Sequence, residues 1–261
     1  MTPSFVPGAP CWFDVTSPDI EVSAQFYRDL FGWSPTDTGP AHANYTLLRQ
    51  DSAPVAGITT AATPDGGTQP ARWLPYFAVA DVSGTIETAV ADGAAVVTAA
   101  TTVPDRLEFA LLADPDGAPY GIARLIAHPG TERWSQPNNP CWVQYAAPGA
   151  PAGAMAHYSL VLGWHYTDAA WETSTEAPYQ ALSTEAGERE FGGAARAQPG
   201  EPAPAWELTI HVPDCDAAAA RAVELGGALI RPPHDNPGPS RLAVIADPVG
   251  ASLALMAFGR P

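Results

Sequence analysis

The sequence predicts an α+β fold in two tandem domains, each built from two units of the order strand, helix, three strands. The first observation is an internal repeat. Pro10-Cys11-Trp12 recurs as Pro140-Cys141-Trp142, FYRDLFGW (26–33) as HYSLVLGW (157–164), and RWLPYFAVADV (72–82) as AWELTIHVPDC (205–215). ADPDGAPYGIARL (113–125) recurs as ADPVGASLALMAF (246–258), and the offsets drift only from 130 to 133. The second observation is that each copy divides again into similar halves, a strand and a helix followed by about three strands. The third is a late D-P-x-G turn in both copies. The domains are expected at 8–127 and 140–258, joined by a polar, proline-rich linker at 128–139.

Each element has a local reason. CWFDVTS alternates as a strand, and Pro18 follows Ser17 as a proline at the first helical position follows an N-cap. Val22, Phe26 and Leu30 then recur at helical spacing, with Gly32 as the stop. NYTLLRQ and PVAGITT are the next strands. In the second half LPYFAVA leads to Asp81 as a cap, then to a helix through Ile86 and Val90 that ends at Gly93. AAVVTAA, RLEFALLA and PYGIARLIA follow as strands, with DPDG as the turn between the last two. The second copy matches the first segment by segment.

Composition bounds the function. At 261 residues, 46% hydrophobic and 15% charged, the chain has ample material for folded cores. Net charge is −16 and every basic side chain is arginine. Such a surface repels nucleic acid and anionic membranes, so neither is an expected partner. No apolar run reaches membrane-span length, and the N-terminal MTPSFVPGAP lacks the pattern of a signal peptide, which gives a cytoplasmic expectation. Cys11, Cys141 and Cys215 are an odd set without metal-pair spacing, expected to be reduced and buried.

A strand ending in aspartate just before a helix, F-Y within that helix, G-W after it and the D-P-x-G turn together resemble the vicinal oxygen chelate superfamily. This is the group of glyoxalase I, bleomycin-resistance proteins and extradiol dioxygenases, and the likeness is greatest to its tandem two-domain, glyoxalase-like members. It covers nearly all of residues 8–258. The resemblance implies that each pair of units curls an eight-stranded sheet into a cup, with helices outside and a ligand inside.

Alternation along the strands then sorts the side chains. Cys11, Phe13 and Val15 suit the helix side, leaving Trp12, Asp14 and Thr16 for the cup. Cys141, Val143 and Tyr145 leave Trp142, Gln144 and Ala146. Trp73, Pro75 and Phe77 leave Leu74, Tyr76 and Ala78, and Trp206, Leu208 and Ile210 leave Glu207, Thr209 and His211. Two further inward candidates, Glu108 and Arg241, stand six residues before the aspartate of the D-P turn. Asp14 has an alternative reading, in which its carboxylate only hydrogen-bonds nearby backbone or an arginine.

The resemblance implies metal ligands at positions 12, 74 and 121, and at 142, 207 and 254. Those are Trp12, Leu74 and Gly121, and Trp142, Glu207 and Ala254. Only Glu207 can ligate, whereas a divalent ion needs about three converging donors. No metal is therefore expected. Without a nucleotide-binding glycine loop or a G-x-S-x-G elbow, no cofactor is expected either.

What remains is aromatic walls with a few placed polar groups, the composition of a small-molecule site. The expected function is metal-independent acid–base catalysis on a planar or polyketide-like metabolite: isomerisation, cyclisation, dehydration or epoxide opening. Asp14 and Glu207 are the candidate acids or bases and Tyr76 and His211 their partners. Trp12, Thr16, Leu74, Glu108, Trp142, Gln144, Thr209 and Arg241 are the expected ligand contacts. The alternative is a non-catalytic drug- or metabolite-binding protein of the bleomycin-resistance type. Either fits a monomer or a homodimer.

Overall fold

Four modules of one strand, one helix and three strands make up the chain, described here by a computed structural model. The structure describes residues 5–39, 42, 45–63, 66–169, 178–185, 189–198, 202–236 and 240–259. The first module is β1 (Pro10–Ser17), α1 (Ile20–Phe31), β2 (Ser34–Asp37), β3 (Thr46–Gln50) and β4 (Ala53–Thr60). The second is β5 (Arg72–Ala78), α2 (Val82–Ala91), β6 (Ala95–Val103), β7 (Leu107–Ala113) and β8 (Pro119–Leu125). The third is β9 (Asn139–Ala147), α3 (Ala152–Leu162), β10 (His165–Asp168), β11 (Gln180–Ser183) and β12 (Gly192–Arg196). The fourth is β13 (Ala205–His211), α4 (Cys215–Glu224), β14 (Ala228–Asn236), β15 (Ser240–Ala246) and β16 (Ser252–Phe258).

Two eight-stranded sheets result, one per tandem copy, in the orders β2-β3-β4-β1-β5-β8-β7-β6 and β10-β11-β12-β9-β13-β16-β15-β14. In every module the last strand returns parallel to the first, a connection that needs the intervening helix and strands as a crossover. The register sets Asp14 opposite Gly57, Tyr76 opposite Gly121, Gln144 opposite Gly193 and Thr209 opposite Ala254. A small residue thus faces each of these four side chains.

Asp81 caps α2 as expected, its carboxylate accepting from the Gly84 amide at 3.1 Å. The first helix corrects its expectation. Its N-cap is Asp19, which accepts from the Val22 amide at 3.1 Å, while Ser17 closes a local turn by accepting from the Asp19 amide. Moving the start shifts the buried stripe to Ser23, Ala24, Phe26, Tyr27 and Phe31, leaving Val22 exposed. Gly32 ends the helix at φ 77°, a conformation that costs glycine little.

The chain packs as two compact units. One comprises residues 1–12, 75–130 and 142–207; the other comprises 13–74, 131–141 and 208–261. In the first, Trp206 Nε1 donates to the Tyr158 hydroxyl at 3.0 Å, and that hydroxyl donates to Asp114 at 3.0 Å. Tyr145 donates to the same carboxylate at 2.8 Å. The other unit repeats the chain of bonds. Trp73 Nε1 donates to Tyr27 at 3.1 Å, Tyr27 to Asp247 at 3.2 Å, and Ser23 joins that carboxylate at 3.0 Å.

These two chains explain the recurring helix tyrosine, strand tryptophan and D-P-x-G motifs as structural. A buried aspartate needs several donors. Asp247 receives two hydroxyls and the Val249 and Ala251 amides. Burial nevertheless raises its pKa, and it raises those of the Tyr27 and Tyr158 hydroxyls well above the usual range.

The stretch expected as a linker is packed. Trp134 stacks on Phe13 with centroids 6.1 Å apart, Thr131 donates to the Val55 carbonyl at 2.9 Å, and Trp33 Nε1 donates to the Asn138 carbonyl at 2.8 Å. Among the described residues, no helix is long and apolar enough to cross a membrane.

Candidate functional site

Tyr145 on β9 shows which face of that strand meets the helix, because its ring lies 5.8 Å from Tyr158 of α3. Gln144, one residue back, therefore takes the helix-free face. Burial alternates accordingly: Cys141, Val143 and Tyr145 are buried, whereas Trp142, Gln144 and Ala146 are half-exposed. Asp14 holds the same place in the first copy's register, opposite Gly57 as Gln144 is opposite Gly193.

Asp14 is 7% exposed, and the Tyr45 hydroxyl donates to its Oδ1 at 2.5 Å. The tyrosine reaches it by lying over Gly57, where a Cβ would stand 1.6 Å from the Tyr45 oxygen and 2.7 Å from Asp14 Oδ1. In the second copy Tyr179 donates to Gln144 Oε1 at 2.7 Å and accepts from Trp142 Nε1 at 3.0 Å. A Cβ on Gly193 would stand 1.9 Å from that hydroxyl. One device thus appears twice: a tyrosine over a glycine, donating to a polar side chain on the neighbouring strand. The copies differ in the acceptor, an ionisable carboxylate in one and a neutral amide in the other.

The remaining candidates fall into place singly. Trp12 is buried and packs edge-on against His128 at 4.5 Å. His128 itself is buried, its Nδ1 accepting from the Gly130 amide at 3.1 Å. Tyr76 lies flat over Gly121, where a Cβ would meet its ring at 2.2 Å, and packs against Phe109. Leu74 is buried, and Thr16 and Glu207 are half-exposed. Thr209 is buried at 2% exposure. His211 donates or accepts at Nδ1 with only an acceptor opposite, the Ser135 carbonyl at 3.0 Å, so Nδ1 carries the hydrogen. Its ring packs edge-on against Phe258.

Glu108 and Arg241 are corrections. Gly121, beneath the Tyr76 ring, pairs with Leu111, and Phe109 packs on that ring, so Glu108, next to Phe109, points to the helix side. There it pairs with Arg124 at 3.0 Å. Val244 pairs with Ala254, so Arg241 likewise takes the helix side and binds Asp216 of α4 at 2.6 Å and Asp235 at 2.8 Å. Counting back from the turn set the parity one residue off. The antiparallel pairing, invisible in the sequence, sets it correctly.

The donor set at the implied metal positions does not fit a divalent ion. Five of the six residues lack a ligating atom, and the Tyr76 ring occupies the space over Gly121 that a longer side chain would need. Among the described residues, no three His, Cys, Asp or Glu side chains are grouped to hold a metal. The three cysteines are free and buried, and burial pushes Cys141 up to about 12 and Cys215 up to about 11, which suppresses the thiolate a nucleophile needs.

Sequence reasoning missed Tyr45, Tyr179, Gly57 and Gly193. The signal was present in the repeat, since a tyrosine opens the third strand and a glycine sits within the fourth strand of both copies.

Residues 11–120 match the model of the Glyoxalase/Bleomycin resistance protein/Dioxygenase superfamily, and residues 146–256 match that of the Glyoxalase-like domain. The chain is 34% identical over 267 residues to the anthracycline biosynthesis protein DnrV of Streptomyces peucetius, covering 97% of this chain and 94% of that protein. It is 33% identical, with the same coverage, to the anthracycline biosynthesis protein DauV of Streptomyces sp. (strain C5). Among solved structures, the Mn(II)-bound glyoxalase from Novosphingobium aromaticivorans superposes with a TM-score of 0.67 at 14% identity, covering 97% of this chain and 83% of that one. At that identity the likeness is one of fold.

Proposed function

The chain belongs to the glyoxalase, bleomycin resistance protein and dioxygenase superfamily, and from that premise we propose that it is an enzyme of small-molecule secondary metabolism using acid–base catalysis without a divalent metal. One observation carries this reading. The tyrosine-over-glycine device is kept in both copies, but only the first places a carboxylate in it. An amide would serve packing equally well, and a desolvated carboxylate is the costlier choice. Its retention at Asp14 points to use of its proton.

Asp14 is the proton carrier in this account. Its carboxylate is shielded from water and accepts the Tyr45 hydroxyl, a placement that suits a group taking a proton in one step and returning it in the next. Tyr45 orients the carboxylate. His211, which lies in the same compact unit, remains a candidate partner. The substrate class is a planar aromatic or polyketide-like metabolite, in keeping with the anthracycline biosynthesis relatives, and the reaction class is isomerisation, cyclisation, dehydration or epoxide opening.

The test is conversion by the purified chain of a metabolite in extracts of its own host, in the presence of EDTA, followed by mass spectrometry. A new product formed catalytically under chelation supports the reading. Stoichiometric retention without turnover overturns it, as does activity that EDTA removes and Mn²⁺ restores.

A second reading, a binding protein, is favoured by the second copy. There Trp142, Tyr179 and Gln144 form a network in which burial drives the Tyr179 pKa upward, leaving no proton to exchange near neutrality. Such a face can hold a ligand by stacking and hydrogen bonds alone.

A further inference from the structure

Arg72 begins β5, and its neighbour Trp73 packs on Tyr27 of α1 with ring centroids 5.2 Å apart. Alternation therefore turns Arg72, like Leu74, to the helix-free face of the first sheet, the face that carries the Asp14–Tyr45 pair. The guanidinium is half-buried, and among the described residues its side-chain partner is one neutral atom, Gln69 Oε1 at 3.3 Å.

Four other arginines spend their charge on carboxylates, Arg124 on Glu108, Arg133 on Asp51, Arg221 on Glu224 and Arg241 on two aspartates, whereas Arg28 and Arg49 donate to the neutral oxygens of Gln25 and Ser52. In a chain with 28 acidic residues against 12 basic ones, a half-buried cation with no acidic partner among the described residues goes against composition. Burial also lowers its pKa, which marks a charge held at a cost.

We infer that Arg72 anchors an anionic oxygen group, a carboxylate or phosphate, on a planar ligand bound at the helix-free face of the first sheet. The planar fork of donors matches either group bidentately. A negatively charged protein repels such a ligand at long range, so a local cation is what retention requires. The inference rests on the reading that this face holds a small molecule, and it adds the ligand's charge. It also departs from the cationic ligand that net charge alone suggests.

The experiment is calorimetric titration of the full chain with three naphthalene probes: 2-naphthoate, 2-naphthyl phosphate and neutral 2-naphthamide. At least one anion is expected to bind about tenfold or more tightly than the amide, the difference a charge-assisted hydrogen bond supplies. Which anion wins separates carboxylate from phosphate recognition. Arg72→Gln is expected to abolish that preference while leaving naphthamide affinity within about twofold, and the ligand-free variant should melt no lower than the parent, because it loses an unpaired desolvated charge. Equal binding of all three probes, no binding of any, a preference that survives in Arg72→Gln, or a lowered melting temperature in the ligand-free variant overturns the inference. These readouts need no turnover, so failure here leaves the role of Asp14 standing, and loss of that role leaves the anion preference standing.

Discussion

Gly57→Ala tests the device on which the candidate site is built. The new methyl carbon would stand 1.6 Å from the Tyr45 hydroxyl and 2.7 Å from Asp14 Oδ1, where contacts below about 3 Å are not tolerated. The tyrosine must withdraw, and its 2.5 Å bond to Asp14 breaks. A hydrogen bond to a charged group is worth about 1.5–3 kcal/mol. Replacing glycine returns about 0.4–1 kcal/mol through the unfolded chain. The net expectation is a loss of about 1–2 kcal/mol, read from the urea midpoint. In a Tyr45→Ala background the same substitution meets only Asp14 Oδ1 and should cost less than it does in the parent. The two changes are therefore expected to couple by about 1.5–3 kcal/mol. Additive effects, or a Gly57→Ala variant as stable as the parent, would refute the placement of Tyr45 over Gly57.

Two further predictions concern the cores. Tyr158→Phe removes the link between Trp206 and Asp114 and strands a buried indole N–H, which is expected to cost about 2–3 kcal/mol in urea denaturation; a loss under about 0.5 kcal/mol would contradict the network. Burial raises the pKa of Tyr27, Tyr120, Tyr145 and Tyr158, so these hydroxyls stay protonated in the folded chain while the unfolded chain ionises near about pH 10. Stability on their account is fully present below about pH 10 and is lost as pH rises above it, and tyrosinate absorbance from these four should appear only with unfolding. Their titration in the folded protein would contradict that.

The four-module plan was legible because each local signal repeats: aspartate caps, glycine stops and D-P-x-G turns agree with the hydrophobic alternation. The facing of Asp14 was legible for the same reason, since a strand with Cys11, Phe13 and Val15 on one side leaves the carboxylate on the other. Its partner was not sought, because Tyr45 lies 31 residues away and just before β3, whose pairing with β4 only the fold reveals. Glu108 and Arg241 were misplaced because distance from a turn does not fix strand parity when the pairing register is unknown. Ser17 lost the cap to Asp19, two residues later, because both residue types cap and local sequence does not choose between them. The D-P-x-G aspartates read as turn formers, which they are. That they also receive tyrosines from a helix more than 40 residues away in one unit and more than 200 in the other belongs to packing alone.

Asp14→Asn, followed by single-turnover kinetics and ligand affinity on the converted metabolite, is the most direct measurement. Asparagine keeps an oxygen for the Tyr45 hydroxyl and removes the ionisable carboxylate. The account predicts a rate lower by about 10²–10⁴-fold with the dissociation constant within about threefold of the parent. A variant that turns over at the parental rate would contradict it.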